Sequence, residues 1–552
     1  MARASLTLLM MGLTATSALA GGKVYPLRWV YVSRGLRSEQ DVEEIRGIVR
    51  TAAEHGLNGM VLAAGLDRLD LQPPEYFRRL EAVKAVCKQQ GIEIVPIVFS
   101  AGYGGSVLAH DRNLAAGLPV RDALFVVKGD EARLVADPAV QIANGGFEQH
   151  KGDRLTGFRF HDKPGEVSFI DTETFKQGRA SLRFEGFGKF PHGHGRVMQE
   201  VKVAPHRCYR VSCWVRTDGF EPQRALRIQV YGAHGPIASH DPRMHGTVDW
   251  RRATFGFNSA DHEMVRVYAG CWKGKQGKFW LDDLRIDEVG LINVLRRPGT
   301  PVTVKGGDTV FEEGKDYARI EDPKLNFRFD HDGPPIRILP GSRIQEGERL
   351  RVSYYHGMAI GRGQVSVCMS EPKLYEIWRE QTKLIQQHLA PRHWLLSMDE
   401  IRMGGSCQAC QASGKSMAEI LGACVTRQFQ MIREANPKAE VAIWSDMLDP
   451  NHNAHGDYYL VEGDFTDSWK HVPKELIIAT WYFRKRRASL DHFSKLGFRT
   501  LAGAYYDGDT LDNPKGWLAD LDQTPKAVGI MYTTWRNKYA LLAPFGDLVS
   551  KR

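Results

Sequence analysis

Apolar positions near the start of the chain fall in short continuous runs, each followed by a stretch with helical spacing. Residues 27–32 predict a strand. Ser38-Glu39-Gln40-Asp41 then caps a helix that places Val42, Ile45, Val49 and Ala52 on one face and stops at Gly56. A second strand is expected over 59–62, a helix over 74–90 closed by Gly91, and a third strand over 92–99. Uninterrupted apolar runs of this length suit parallel strands covered on both faces.

Between residues 123 and 362 the helical period disappears. Short alternating segments (180–184, 209–214, 226–230, 265–268 and 279–286) take its place, separated by Gly, Pro, Asp and Asn turns, and their even spacing predicts a sandwich. A further β-rich piece runs over 302–355. The βα rhythm resumes with a helix over 372–389 and strands over 394–398, 441–444, 476–481, 500–505 and 527–532. With the first three, these make eight parallel-type strands. The expected fold is α/β: a (β/α)₈ TIM barrel interrupted by a β-sandwich of jelly-roll type and a small β-rich domain. The expected division is 21–122 for the first part of the barrel, 123–290 for the sandwich, 291–362 for the small domain and 363–552 for the rest of the barrel.

Composition adds the compartment. Arg3, the apolar stretch 6–13 and Ala18-Leu19-Ala20 have the form of a signal peptide over 1–20, so the expectation is export to the periplasm or the extracellular space. No later run is long enough to span a bilayer. A net charge of +9 over 552 residues is modest. Its one dense basic run, Arg484-Lys485-Arg486-Arg487, reads as a solvated loop, and no nucleic-acid partner is expected. Oligomeric state is not legible. The eight cysteines include one CxxC, Cys407 and Cys410, which reads as a disulfide or buried thiols, with a metal as the alternative.

Residues just beyond the strands of such a barrel line its mouth. Here they are Arg34, Tyr103, Asp399-Glu400, Trp444 with Asp446, Trp481-Tyr482, Tyr505-Tyr506-Asp507, and Trp535. Aromatic rings offer apolar faces to sugar C–H groups, while carboxylates and arginine take hydroxyls, so the expected partner is a glycan or oligosaccharide. The polar loop from Trp444 to His455, which contains His452, could hydrogen-bond sugar, cap structure or ligate a metal. Two acids from different strands would serve ordinary retention, with Glu400 as acid/base and Asp446 or Asp507 as nucleophile on a neutral glycan. Adjacent acids suit substrate-assisted cleavage, in which the 2-acetamido oxygen of the substrate attacks the anomeric carbon, Asp399 orients that group and Glu400 acts as general acid/base. A glycan-binding protein without turnover is the third reading.

Leu396-Ser397-Met398-Asp399-Glu400, at a strand-four end, resembles the Asp-Glu motif of family 20 β-N-acetylhexosaminidases. The resemblance implies an acetamido-stabilising Asp399, an acid/base Glu400, Arg34 as a sugar-hydroxyl ligand, and Trp444, Trp481 and Trp535 as pocket walls. The chain lacks that family's His-Xaa-Gly-Gly lead-in. Within the insertion, Asn144-Gly145-Gly146-Phe147-Glu148, the blocks 178–184 and 214–217, and Trp280-Leu281-Asp282-Asp283 resemble family 4/9 carbohydrate-binding modules. That resemblance implies a structural calcium held by Glu148 and Asp283. No cofactor is expected for catalysis.

Overall fold

The computed structural model describes residues 22–233, 235–361 and 363–552, so the expected signal peptide over 1–20 lies outside the described residues. Eight parallel strands close a barrel in sequence order: β1 (Leu27–Ser33), β2 (Gly59–Ala63), β3 (Glu93–Val98), β4 (His393–Leu396), β5 (Glu440–Trp444), β6 (Ile477–Thr480), β7 (Arg499–Tyr505) and β8 (Ala527–Thr533). β8 pairs back onto β1, so the ring has no edge. Alternation along each strand sorts side chains into two layers. Trp29 and Tyr31 of β1 and Ala442 and Trp444 of β5 fill the interior. Val30, Val32, Val441 and Ile443, from the same strands, face the surrounding helices.

The helices begin and end where local chemistry dictates. Ser38 and Asp41 form a reciprocal capping box on α1 (Glu39–Glu54). α2 (Pro74–Gln90) has proline in its first turn and stops at Gly91, whose φ of 67° favours glycine. α3 (Pro372–Leu389) precedes β4, and α4 (Met417–Ala435), with its own Ser416–Glu419 capping box, follows it. The basic run at 484–487 is no simple loop: it forms a 3₁₀ turn and then opens the helix Arg486–Lys495, where Arg486 pairs with Asp520.

The insertion between β3 and β4 is nested. Two five-stranded antiparallel sheets, carrying among others Cys208–Glu221 and Gln276–Glu288 in one and Gly195–Lys202 and Met264–Cys271 in the other, enclose the sandwich core. A six-stranded sheet forms the second domain, and its central pair is Leu118–Lys128 with Arg349–His356. This corrects the expected boundary at 123. Residues 118–134 belong to the small domain, and the sandwich is inserted within it. Alternation shows that a segment is a strand but not which partner it takes, and Leu118 pairs with His356 across the whole insertion. Among the described residues no helix is long and apolar enough to cross a membrane.

Candidate functional site

The chain leaves β4 at Leu396, and Ser397 N–H still bonds to Val98 of β3 (2.8 Å). Two residues later the backbone turns sharply, so that Glu400 sits at φ 50°, a left-handed conformation costly for a residue with a Cβ. Three contacts hold it there. Its N–H donates to Asp446 Oδ2 (2.8 Å), its carbonyl accepts from Gln364 Nε2 (2.6 Å), and Gly102 lies against the same turn. A Cβ on Gly102 would stand 2.1 Å from the Asp399 carbonyl oxygen, so this approach requires glycine.

The Glu400 carboxylate is gripped by two side chains. Arg402 Nη2 lies 2.8 Å from Oε1, and the Tyr103 hydroxyl donates a short hydrogen bond to Oε2. Burial, together with that bond, raises the Tyr103 pKa, so its proton stays on the phenol. Asp399 accepts from the Ser397 hydroxyl at 3.0 Å. Burial pushes Asp399 up to about 6; the neighbouring Glu400 charge adds to this, while Ser397 and Arg402 oppose it.

Asp446 completes a cluster of three acids. It is fully buried, and its oxygens accept from Glu400 N–H, from Asn453 Nδ2 (2.8 Å) and from Trp481 Nε1 (3.4 Å). Burial, and then the charge of Asp399, push it up to about 7.

An aromatic band runs along the mouth beside the acids. Tyr31 meets Trp535 at 5.1 Å between ring centroids, Trp535 meets Tyr506 at 6.2 Å, Tyr506 stacks on Trp481 at 6.0 Å, and His452 lies 4.4 Å from Trp481 and 4.5 Å from Tyr482. Burial lowers His452 to about 4, so it joins the band as a neutral ring. Trp535 and Tyr506 remain 45% and 44% exposed, which leaves large apolar faces open to a ligand. Next to them Arg402 lies over the ring of Tyr459 at 5.0 Å.

Of the residues expected from sequence, the structure gathers Tyr103, Asp399, Glu400, Asp446, His452, Trp481, Tyr482 and Trp535. Trp444 belongs to the floor rather than the wall: it is buried inside the barrel beneath Trp535. Arg34 does not join the site, because its guanidinium pairs with Glu44 of α1 at 2.5 Å. Tyr505 is also corrected. It points into the layer between strands and helices, stacked on Tyr532 at 4.1 Å, because its φ of 78° breaks the alternation of β7, in which Leu501 of the same phase faces the interior. Asp507 reaches the mouth, but its carboxylate accepts from the Thr534 hydroxyl and from the backbone N–H groups of Trp535 and Arg536, so it positions Trp535.

Sequence reasoning placed Tyr506 at the end of strand seven but missed Tyr31, Gln364 and Arg402. Arg402 adjoins residues already singled out, and Tyr31 follows from extending the interior phase of β1 to its end. Gln364 arrives from the far side of the insertion and carries no local signal. In the sandwich, Glu148 accepts from the N–H groups of Arg179 (2.8 Å) and Ala180 (3.3 Å), and Asp283 pairs with Arg285 at 2.5 Å. Among the described residues no further acid or histidine joins them as a ligand set.

No protein-family model and no curated protein matches the chain. Among solved structures, TmCBM61 in complex with beta-1,4-galactotriose is 17% identical and covers 26% of this chain and 95% of its own, with a TM-score of 0.22. A family 4 carbohydrate-binding module is 14% identical over 27% of this chain and 99% of its own, with a TM-score of 0.20. A rhamnosidase from Novosphingobium sp. PP1Y is 11% identical over 92% of this chain, which spans 55% of that enzyme, with a TM-score of 0.34. Likeness this slight assigns no activity.

Proposed function

We propose that the chain is an exported glycoside hydrolase that releases a terminal 2-acetamido sugar with retention, through an intermediate formed by the substrate itself. The observation that carries this reading is the state of the acids. Asp399 and Glu400 stand side by side at the barrel mouth, while both oxygens of buried Asp446 are already engaged by N–H donors. Ordinary retention on a neutral sugar needs a second carboxylate free to reach the anomeric carbon. Asp446 and Asp507 are both committed to holding other groups.

In the proposed reaction Glu400 takes up a proton from solvent before or as substrate binds, then gives it to the glycosidic oxygen as the acetamido oxygen closes on the anomeric carbon and the aglycone leaves as an alcohol. Asp399 accepts the acetamide N–H and offsets the positive charge on the resulting ring. Glu400 then takes a proton from water, which attacks the anomeric carbon and restores the acetamido group. Tyr103 and Arg402 fix the Glu400 carboxylate, and Trp535 and Tyr506 take the C–H face of the sugar.

The test is turnover of aryl N-acetylglucosaminide and N-acetylgalactosaminide against the corresponding neutral aryl glycosides. Wild type should prefer the acetamido substrates and be inhibited by a thiazoline analogue, and Asp399→Asn and Glu400→Gln should each lower kcat/KM by about 10²–10⁴-fold. Equal rates on neutral substrates, or activity unchanged in both variants, would remove the mechanism. Glycan binding by wild type without any turnover would leave a binding protein.

A further inference from the structure

A second cluster lies beside the mouth and takes no part in the chemistry above. Cys368, on the segment that returns from the insertion to the barrel, meets Cys407 and Cys410, on the loop that follows Glu400. The three sulfurs form a nearly equilateral triangle, with edges of 3.4, 3.6 and 3.6 Å, and all three residues are buried. A disulfide would draw two sulfurs to about 2.05 Å and leave the third apart. Three thiolates sharing one tetrahedral ion at about 2.3 Å have edges of about 3.8 Å, close to those seen. A small cavity lined by Cys368, Cys407, Cys410, Met369 and Met417 adjoins the three sulfurs.

The surroundings match a site with excess negative charge. Buried Arg297 is held by Glu371 at 2.7 Å, its Nη2 has no hydrogen-bond partner, and its charge acts on Cys368 and Cys407. Glu371 balances the guanidinium charge and Nη1 donates to the Ala115 carbonyl (2.8 Å), so what remains for an anionic thiolate–metal centre to satisfy is the buried Nη2 donor. Ser370 Oγ lies 3.3 Å from Cys410 Sγ and marks the side from which an oxygen could complete four-coordination.

We propose that Cys368, Cys407 and Cys410 bind one zinc ion, which ties the returning segment to the loop carrying Glu400 and Arg402. The same segment already bonds to the loop after β3 through Val367 N–H to Ala101 (2.9 Å) and Cys368 N–H to Leu114 (2.9 Å). The ion is thus a structural brace between the end of the insertion and the acid-bearing turn.

The test is elemental analysis of full-length protein purified without chelator, combined with intact-mass measurement. Wild type should carry one zinc per chain, and once the metal is released in denaturing acid its mass should be that of a chain with eight free thiols and no disulfide. Cys368→Ser and Cys410→Ser should weaken zinc binding by about tenfold or more, whereas Cys213→Ser, in the sandwich, should leave it unchanged. Because the cysteine variants could fail to fold, a separate experiment uses wild type alone: chelator-stripped protein titrated with cobalt chloride should develop a thiolate-to-cobalt charge-transfer band that saturates at one equivalent. A mass short by two hydrogens with two of these cysteines protected from alkylation would overturn the proposal. So would no band and no zinc uptake in reductant, or one copper per chain in place of zinc. None of these readouts depends on glycosidase activity.

Discussion

In the proposed mechanism Asp399 must be ionised to accept the acetamide N–H and to balance the charge of the cyclic intermediate, yet burial and the Glu400 charge push its pKa up to about 6. The activity should therefore fall as pH drops through about 6, well above the ordinary carboxylate range, and kcat/KM against pH will show this because it reports the free enzyme. Ser397 donates to the ionised form of Asp399. Ser397→Ala should raise the acidic limb by roughly half a unit to one unit, the equivalent of one hydrogen bond; a limb that stays put or moves downward would show that another group controls it. At this scale much of the site was legible. Positions one to four residues past a barrel strand were enough to find Asp399, Glu400, Asp446, Trp481 and Trp535. What failed was side-chain direction. Arg34 follows Ser33 closely enough to reach the mouth, but the acidic Glu44 one turn into α1 offers it a nearer partner, and only coordinates reveal that competition.

The turn after β4 is the element on which the site depends. It holds Glu400 in a left-handed conformation against the strain of a side chain, using Asp446 on one side, Gln364 on the other and the bare Cα of Gly102 beneath. Gly102→Ala would force the turn away from its place. We expect stability to fall by about 1–3 kcal/mol and kcat/KM to fall by about 10²-fold, the usual consequence of displacing a catalytic group by about 1 Å. Gln364→Ala should reduce kcat in the same direction while changing KM little, since Gln364 supports the turn without facing the sugar. Thermal melts with steady-state kinetics on both variants check this; unchanged kinetics in Gly102→Ala would mean that the turn is not held by close packing. The helices around the barrel were predictable because their signals are local, as in the capping box of Ser38 and Asp41 and the stop at Gly91. This turn was not, because Gly102, Gln364 and Asp446 come from three distant parts of the chain.

Across the whole molecule, the eight-strand ring was readable because a helix–strand rhythm survives interruption, whereas the nesting of the insertion was not, since it rests on Leu118–Lys128 finding Arg349–His356 across the intervening domain. The junction of the sandwich with the small domain is built around His356, which is fully buried. Asn258 Nδ2, from the sandwich, bonds to His356 Nε2 at 3.0 Å and to the Pro119 carbonyl at 2.9 Å, so Nε2 must keep a lone pair and the ring must be neutral. Cys208 and Phe329 cover the rest of the ring and offer no carboxylate to stabilise a positive charge. Burial accordingly lowers the pKa of His356 to about 4, against 6.5 when unfolded. A base depressed in this way contributes its full stability above pH 6.5 and loses it progressively as pH falls toward 4, by a total of about 3 kcal/mol. Calorimetry between pH 7.5 and 4.5 should show the transition that includes the sandwich moving to lower temperature on acidification, and His356→Gln should flatten that dependence while lowering stability at neutral pH. If acid shifts the variant as much as the wild type, the junction does not rest on a neutral imidazole.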